Sequence, residues 1–163
     1  MVLKPLSIAT LSSLFTLMFI GGYVSSSGAG LSCPKWPLCP AGLIPMKEFI
    51  IEYVHRTVAA TTAVLVFTTM FFTLKSKSMT RNPKIASAIA GFLALGQVIL
   101  GGIVIFERLH TALVTVHLGM GLVLFAMVLI VAKQAYDLDK IKADKLKVND
   151  DARFPDTRQL DHR

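Results

Sequence analysis

Residues 109–132 read LHTALVTVHLGMGLVLFAMVLIVA, 24 consecutive positions without Asp, Glu, Lys or Arg. A helix crossing a hydrocarbon layer of about 30 Å needs about 20 such residues. This run is therefore long enough to span a bilayer, and it carries two histidines, His110 and His117. Upstream, Ile85–Phe106 is a second uncharged run, with Pro83 just before it, a favourable helix start. Further back, Phe49–Leu74 is a third, interrupted only by Glu52, His55 and Arg56. Leu6–Val24 is a fourth, with no charge. The pattern predicts an all-α integral membrane protein, a bundle of four transmembrane helices. The domain is expected over residues 1–132, with spans at about 6–24, 47–74, 85–106 and 109–132.

Composition agrees. Of 163 residues, 53% are hydrophobic and 17% charged, where a soluble domain carries about a quarter charged; the mean hydropathy is +0.61. Residues 133–163 hold 15 of the charges, eight basic and seven acidic, which reads as a charged cytoplasmic tail. Leu138, Ile141 and Leu146 suggest that the tail starts as a helical extension; beyond Asn149 mobility is expected. The net charge of +7 does not point to nucleic acid. Outside the tail the basic residues cluster at the ends of apolar runs, a topology signal rather than a phosphate-binding stripe. The 75–84 loop carries Lys75, Lys77, Arg81 and Lys84, and Lys4 and Lys133 flank the outer ends of the apolar body. The positive-inside rule puts these regions and both termini in the cytoplasm of a cell-membrane protein, and the 25–48 loop outside. A cleaved signal peptide is the rival reading of Leu6–Tyr23 with its following Ser25–Gly30 segment. The long apolar run and the single Lys4 favour a retained span.

The only cysteines, Cys33 and Cys39, fall in that outer loop as CPKWPLC. A disulfide is permitted there, as a staple over the outer face or as a redox-active pair. A metal site is disfavoured, because no His or third Cys stands nearby.

Ionisable groups within membrane spans are expensive and mark function. Glu52 and His55 are three apart and share a helix face; Arg56, four from Glu52, is placed to pair with it. His55 lies eight residues beyond Lys47, and His117 eight beyond Leu109, so both are ~12 Å below the outer surface at 1.5 Å per residue. Their helices run in the same direction. Two histidines at one depth on parallel helices meet the requirement for axial ligation of a haem iron between the second and fourth helices. Arg56 suits an anionic haem propionate. His110, near the boundary, is a second cofactor-binding candidate or a solvated side chain. Glu52 is left for chemistry: taking a proton, or stabilising positive charge at the macrocycle edge. Gly96, Gly101, Gly102, Gly119 and Gly121 permit close approach of a flat ring or of another helix.

These residues resemble the haem A synthases. The likeness runs through Gly21-Gly22-Tyr23-Val24, then Gly28-Ala29-Gly30-Leu31-Ser32-Cys33-Pro34 with Trp36-Pro37 and Cys39. It continues in Glu52-Tyr53-Val54-His55-Arg56, in Leu95-Gly96-Gln97 through Gly101-Gly102, and in His117-Leu118-Gly119. It covers roughly residues 15–132. The resemblance implies an oxidoreductase that converts a ring methyl of haem O into the formyl group of haem A, the haem of certain terminal oxidases. It implies haem as cofactor, resident haem b, substrate haem O or product haem A. It also implies functional positions at Cys33, Cys39, Glu52, His55 and His117. A haem O synthase in the same membrane is the expected donor. Typical members have two similar four-helix halves, whereas each motif occurs once here, so a homo-oligomer, a dimer or higher, is expected to supply the second half. Lys35 stands where acidic residues are common in the family, and Ser25 near a common Arg. The alternatives are a two-histidine b-type electron carrier, a thiol–disulfide oxidoreductase using Cys33 and Cys39, and a passive subunit of an oxidase complex. Glu52 argues against the carrier, and the buried charges against the passive subunit.

Overall fold

The computed structural model describes residues 2–32 and 49–153, with side chains to residue 150. Four long helices account for most of them. They are α1 (Leu3–Ser26), α2 (Ile50–Lys75), α3 (Arg81–Phe106) and α4 (Thr111–Arg153), with a 3-10 turn at Ala29–Leu31. All four are long and apolar enough to cross a membrane. Large apolar side chains stand on their outer surfaces: Phe19 is 76% exposed and Phe92 79%. A soluble bundle would bury such residues, while acyl chains accept them at no cost. The chain is thus an all-α, multi-pass membrane protein.

Neighbours in sequence pack as neighbours in space, and α4 closes back on α1. The helices therefore form a square in which α2 faces α4 across the middle. One end of the bundle gathers the start of α1, the end of α2 and residues 135–142 of α4; Lys4 and Asp139 form an ion pair there at 2.9 Å. The other end gathers the end of α1, the start of α2 and the start of α4. The up-down-up-down path makes α2 and α4 parallel.

Each helix has identifiable ends. Thr80 precedes α3 in extended backbone, and Pro83 sits in its first turn, where no intrahelical N–H bond is lost. Lys75 occupies the last turn of α2, a favourable place for a cation on the helix dipole. The turn from α3 to α4 is tight. Arg108 N–H bonds the Ile105 carbonyl, and Leu109 N–H reaches back to Val104 at 2.8 Å, the bond pair of a Schellman ending. That ending usually holds a glycine, yet Arg108 and Leu109 take φ of 50° and 61°. Left-handed backbone costs each non-glycine about 1–2 kcal/mol. Helix α4 then continues without a break from the apolar run through the charged residues to Arg153, ~65 Å at 1.5 Å per residue.

Leu14, Val66, Ala90, Ala94, Leu124 and Val128 form a core drawn from all four helices. Hydroxyls stitch α1 to α2 within it: Thr10 and Thr69 lie 2.8 Å apart, Ser13 and Thr62 2.7 Å. Such bonds between helices substitute for the water that a bilayer lacks. Small residues bring α2 and α3 together. A Cβ on Gly91 would stand 2.4 Å from Met70 Sδ. Gly91→Leu is therefore expected to lower the stability of the detergent-solubilised bundle by about 2 kcal/mol or more through overpacking, measurable as the midpoint of denaturant unfolding.

Candidate functional site

The face-to-face placement of α2 and α4 leaves a cavity of about 530 Å³ between them, near the end where both helices begin. That is the size of small-molecule and cofactor sites. Its walls are mainly apolar, with Leu14, Val66, Ala94 and Leu124 of the core as its floor. Four polar side chains that the sequence singles out converge on it: Glu52, His55, Arg56 and His117.

His55 is the sixth residue of α2 and His117 the seventh of α4. Counted from the helix starts, both lie ~8–9 Å down their axes, so the two rings occupy one level. Nδ1 of each ring is buried and lacks a hydrogen-bond partner among the described residues. Neither Nε2 is a buried unpaired atom, and neither makes a hydrogen bond, which leaves Nε2 as the nitrogen with open space before it. Gly21 of α1 accommodates the His55 ring: a Cβ there would stand 3.1 Å from His55 Cε1, tighter than ordinary contact. On the other side, Gln97 of α3 donates from Nε2 to the His117 carbonyl at 2.8 Å, fixing the turn of α4 that carries the ring.

Glu52 is 2% exposed, the largest of the fully buried side chains. Among the described residues, the following features surround its carboxylate. Arg56, one turn along α2, forms an ion pair with its Oε1. Ser32 Oγ lies 3.1 Å from its Oε2; the same hydroxyl is 2.7 Å from the Ala29 carbonyl, so its single proton serves one acceptor at a time. Glu52 also stands in the first turn of α2, where the helix dipole favours an anion. Leu109 and Gly30 close the cavity at this end, and the strained turn delivers Leu109 onto Gly30. Non-glycine residues in left-handed backbone persist where the surroundings over-determine them, often beside functional sites.

His110 is the remaining histidine in the apolar body. It is exposed, precedes α4, and does not line the cavity. It stands at the head of the helix, where its carbonyl accepts from Val114 N–H. Cys33 and Cys39 lie outside the described residues. Among the described residues, no group of three or more His, Cys, Asp or Glu could hold a metal ion by itself. The two histidines instead fit a metal that brings its own equatorial ligands, as the iron of a porphyrin does. The mainly apolar cavity, the open Nε2 atoms and the guanidinium among its lining residues suit a macrocycle with acidic side arms.

Three contacts of the site escape sequence reasoning as site residues: Ser32, Gly21 and Gln97. Gln97 carries a usable signal, the lone amide in an otherwise apolar run. Ser32 and Gly21 fall within the family-like motifs, but nothing there ties them to Glu52 or His55, since their roles depend on which helix lies beside them.

Comparison with known proteins follows from this geometry. The family model of the cytochrome oxidase assembly proteins, COX15-CtaA, matches residues 46–155. Among curated proteins, a heme A synthase of Bacillus licheniformis is 28% identical over 156 residues, covering 93% of this chain and 52% of that relative. A heme A synthase of Lysinibacillus sphaericus is 25% identical over 157 residues, covering 93% and 51%. One of Bacillus mycoides is 26% identical over 142 residues, covering 85% and 46%. The chain spans about half the length of the curated relatives it matches. No solved structure matches it.

Removing Glu52 takes from the largely buried Arg56 the carboxylate it pairs with along α2. Glu52→Ala is therefore expected to destabilise the bundle by about 3 kcal/mol, and the double variant with Arg56→Ala by less than the sum of the singles. A double-mutant cycle of unfolding midpoints measures this.

Proposed function

The chain belongs to the COX15-CtaA family of cytochrome oxidase assembly proteins, and from that premise we propose that it is a haem A synthase, an oxidoreductase acting on a ring methyl of haem O. The observation that carries the reading is the shared cavity: His55 and His117 open onto it at one level, with a buried Glu52–Arg56 pair beside them. The names of the relatives support the same reading.

In this reading His55 and His117 would hold the haem iron through their Nε2 atoms. A bound haem supplies the iron and the conjugated ring whose methyl group is oxidised. The protein's own part is fourfold. The apolar walls built on Leu14, Val66 and Leu124 exclude water and orient the macrocycle. Arg56, while paired with Glu52, offers its guanidinium to a propionate. Glu52 would accept a proton at its carboxylate, or in its charged form stabilise positive charge at the ring edge. Ser32 donates to the carboxylate and keeps it directed. Gln97 acts on His117 by fixing its backbone.

The proposal extends to topology and partners. The lysine-rich 75–84 loop and the charged stretch beyond residue 132 face the cytoplasm by the positive-inside rule, leaving the cavity toward the outer surface. A haem O synthase of the same membrane delivers the substrate. A homo-oligomer, a dimer or higher, is part of the same proposal, with self-complementary contacts if it is a dimer.

The test is conversion. The chain is expressed with a haem O synthase in a host lacking haem A, and the extracted haems are separated chromatographically. Haem A is the expected product. Glu52→Gln, which keeps shape and hydrogen bonding but removes the charge, is expected to lower its yield about 100-fold or more. Bound haem b or haem O without haem A, in chain and variant alike, would favour an electron carrier instead.

A further inference from the structure

The end of the bundle opposite the histidines holds a second cavity, of about 330 Å³, whose composition no part of the haem reading uses. It is lined by three chain segments that meet at the bundle's lysine-rich end: the start of α1, the end of α2 with its following loop, and α4 beyond its apolar run. Two kinds of surface line it. Phe72, Met79, Ala135 and Leu138 are apolar, while Lys4, Lys75 and Lys142 are cationic. Asp139 is the only acidic residue in the lining, and Lys4 already neutralises it at 2.9 Å. Lys75 and Lys142 therefore leave the cavity with a surplus of two positive charges. Lys75 is also oriented, its Nζ 4.3 Å from the centroid of the Phe71 ring.

The depth of this cavity selects its occupant. The apolar run of α4 ends at Ala132 and Lys133 follows; α2 ends at Lys75. The cavity starts near that level and extends along α4 to Lys142, ten residues or ~15 Å past Ala132, so it lies on the headgroup side of the boundary, with the exposed Phe72 at its apolar edge. A soluble anion would meet only the lysines. An amphiphile with a negative head and apolar tails would meet both surfaces.

We propose that this cavity binds an anionic phospholipid, its phosphodiester between Lys75 and Lys142 and its acyl chains passing into the bilayer beside Phe72. Basic pockets between transmembrane helices recognise such headgroups by charge at the interface, where screening is weaker than in bulk water. The Lys4–Asp139 pair ties α1 to α4 and fixes one wall. The bound lipid bridges α2 and α4 at the end remote from the histidines, holding together the two helices that carry them.

Native mass spectrometry of the intact, detergent-purified chain tests the proposal, with phosphatidylglycerol and phosphatidylcholine as probes. Preferential retention of phosphatidylglycerol is expected. The double variant Lys75→Gln, Lys142→Gln is expected to weaken it about thirty-fold, each lysine near a membrane surface being worth about five-fold, with phosphatidylcholine unchanged. The double variant Lys140→Gln, Lys147→Gln makes the same charge change outside the cavity and is expected to lose less than about three-fold. Equal retention of the two lipids would overturn the proposal, as would an equal loss in both double variants. Displacement of the lipid by millimolar inorganic phosphate would overturn it in favour of a small-anion site.

Discussion

A hydrocarbon layer supplies no hydrogen bonds, and that absence governs where every polar group of this chain stands. Backbone groups satisfy one another within four long helices. The buried hydroxyls of Thr10, Ser13, Thr62 and Thr69 pair across the α1–α2 seam. The one carboxylate carried deep into a span, Glu52, is held by Arg56, by the Ser32 hydroxyl and by the start of its own helix. Exceptions remain among the described residues: Nδ1 of His55 and of His117, Oε1 of Gln97 and Oγ1 of Thr73 are buried without a partner, and both histidines and Gln97 line one cavity. Two imidazoles on one mainly apolar cavity suit a metal that brings its own equatorial donors.

The architecture makes such a site possible. In a square of four helices the diagonal pair never packs closely, so space between α2 and α4 comes from the topology itself. The core of Leu14, Val66, Ala94 and Leu124 closes that space from below, and Leu109 from above. The upper closure rests on a turn with two non-glycine residues in left-handed backbone. Stability is given up there to bring α4 sharply back along α3, with His117 less than two turns from the bend.

Much of this was legible in the residues themselves. Uncharged runs of about 20 residues announce helices that span a membrane, because no other element satisfies its backbone in lipid. The pairing of Glu52 with Arg56 follows from a spacing of four, and the common level of His55 and His117 from equal counts along parallel helices. The illegible parts depend on neighbours remote in sequence. Ser32 reaches Glu52 across 20 residues. Gly21 matters because α1 passes beside His55. The α3–α4 turn carries no glycine to mark it, since Arg108 and Leu109 occupy positions usually given to that residue. The end of the fourth span was likewise blurred, because α4 runs on through charged residues that retain a helical pattern.

The account stands or falls on whether His55 and His117 hold one haem between them. The direct measurement is electron paramagnetic resonance of the purified chain loaded with haem, compared with His55→Ala and His117→Ala. The account predicts a low-spin signal of two-imidazole ligation in the native chain and its loss in each single variant. A two-imidazole signal that survives either substitution would contradict it.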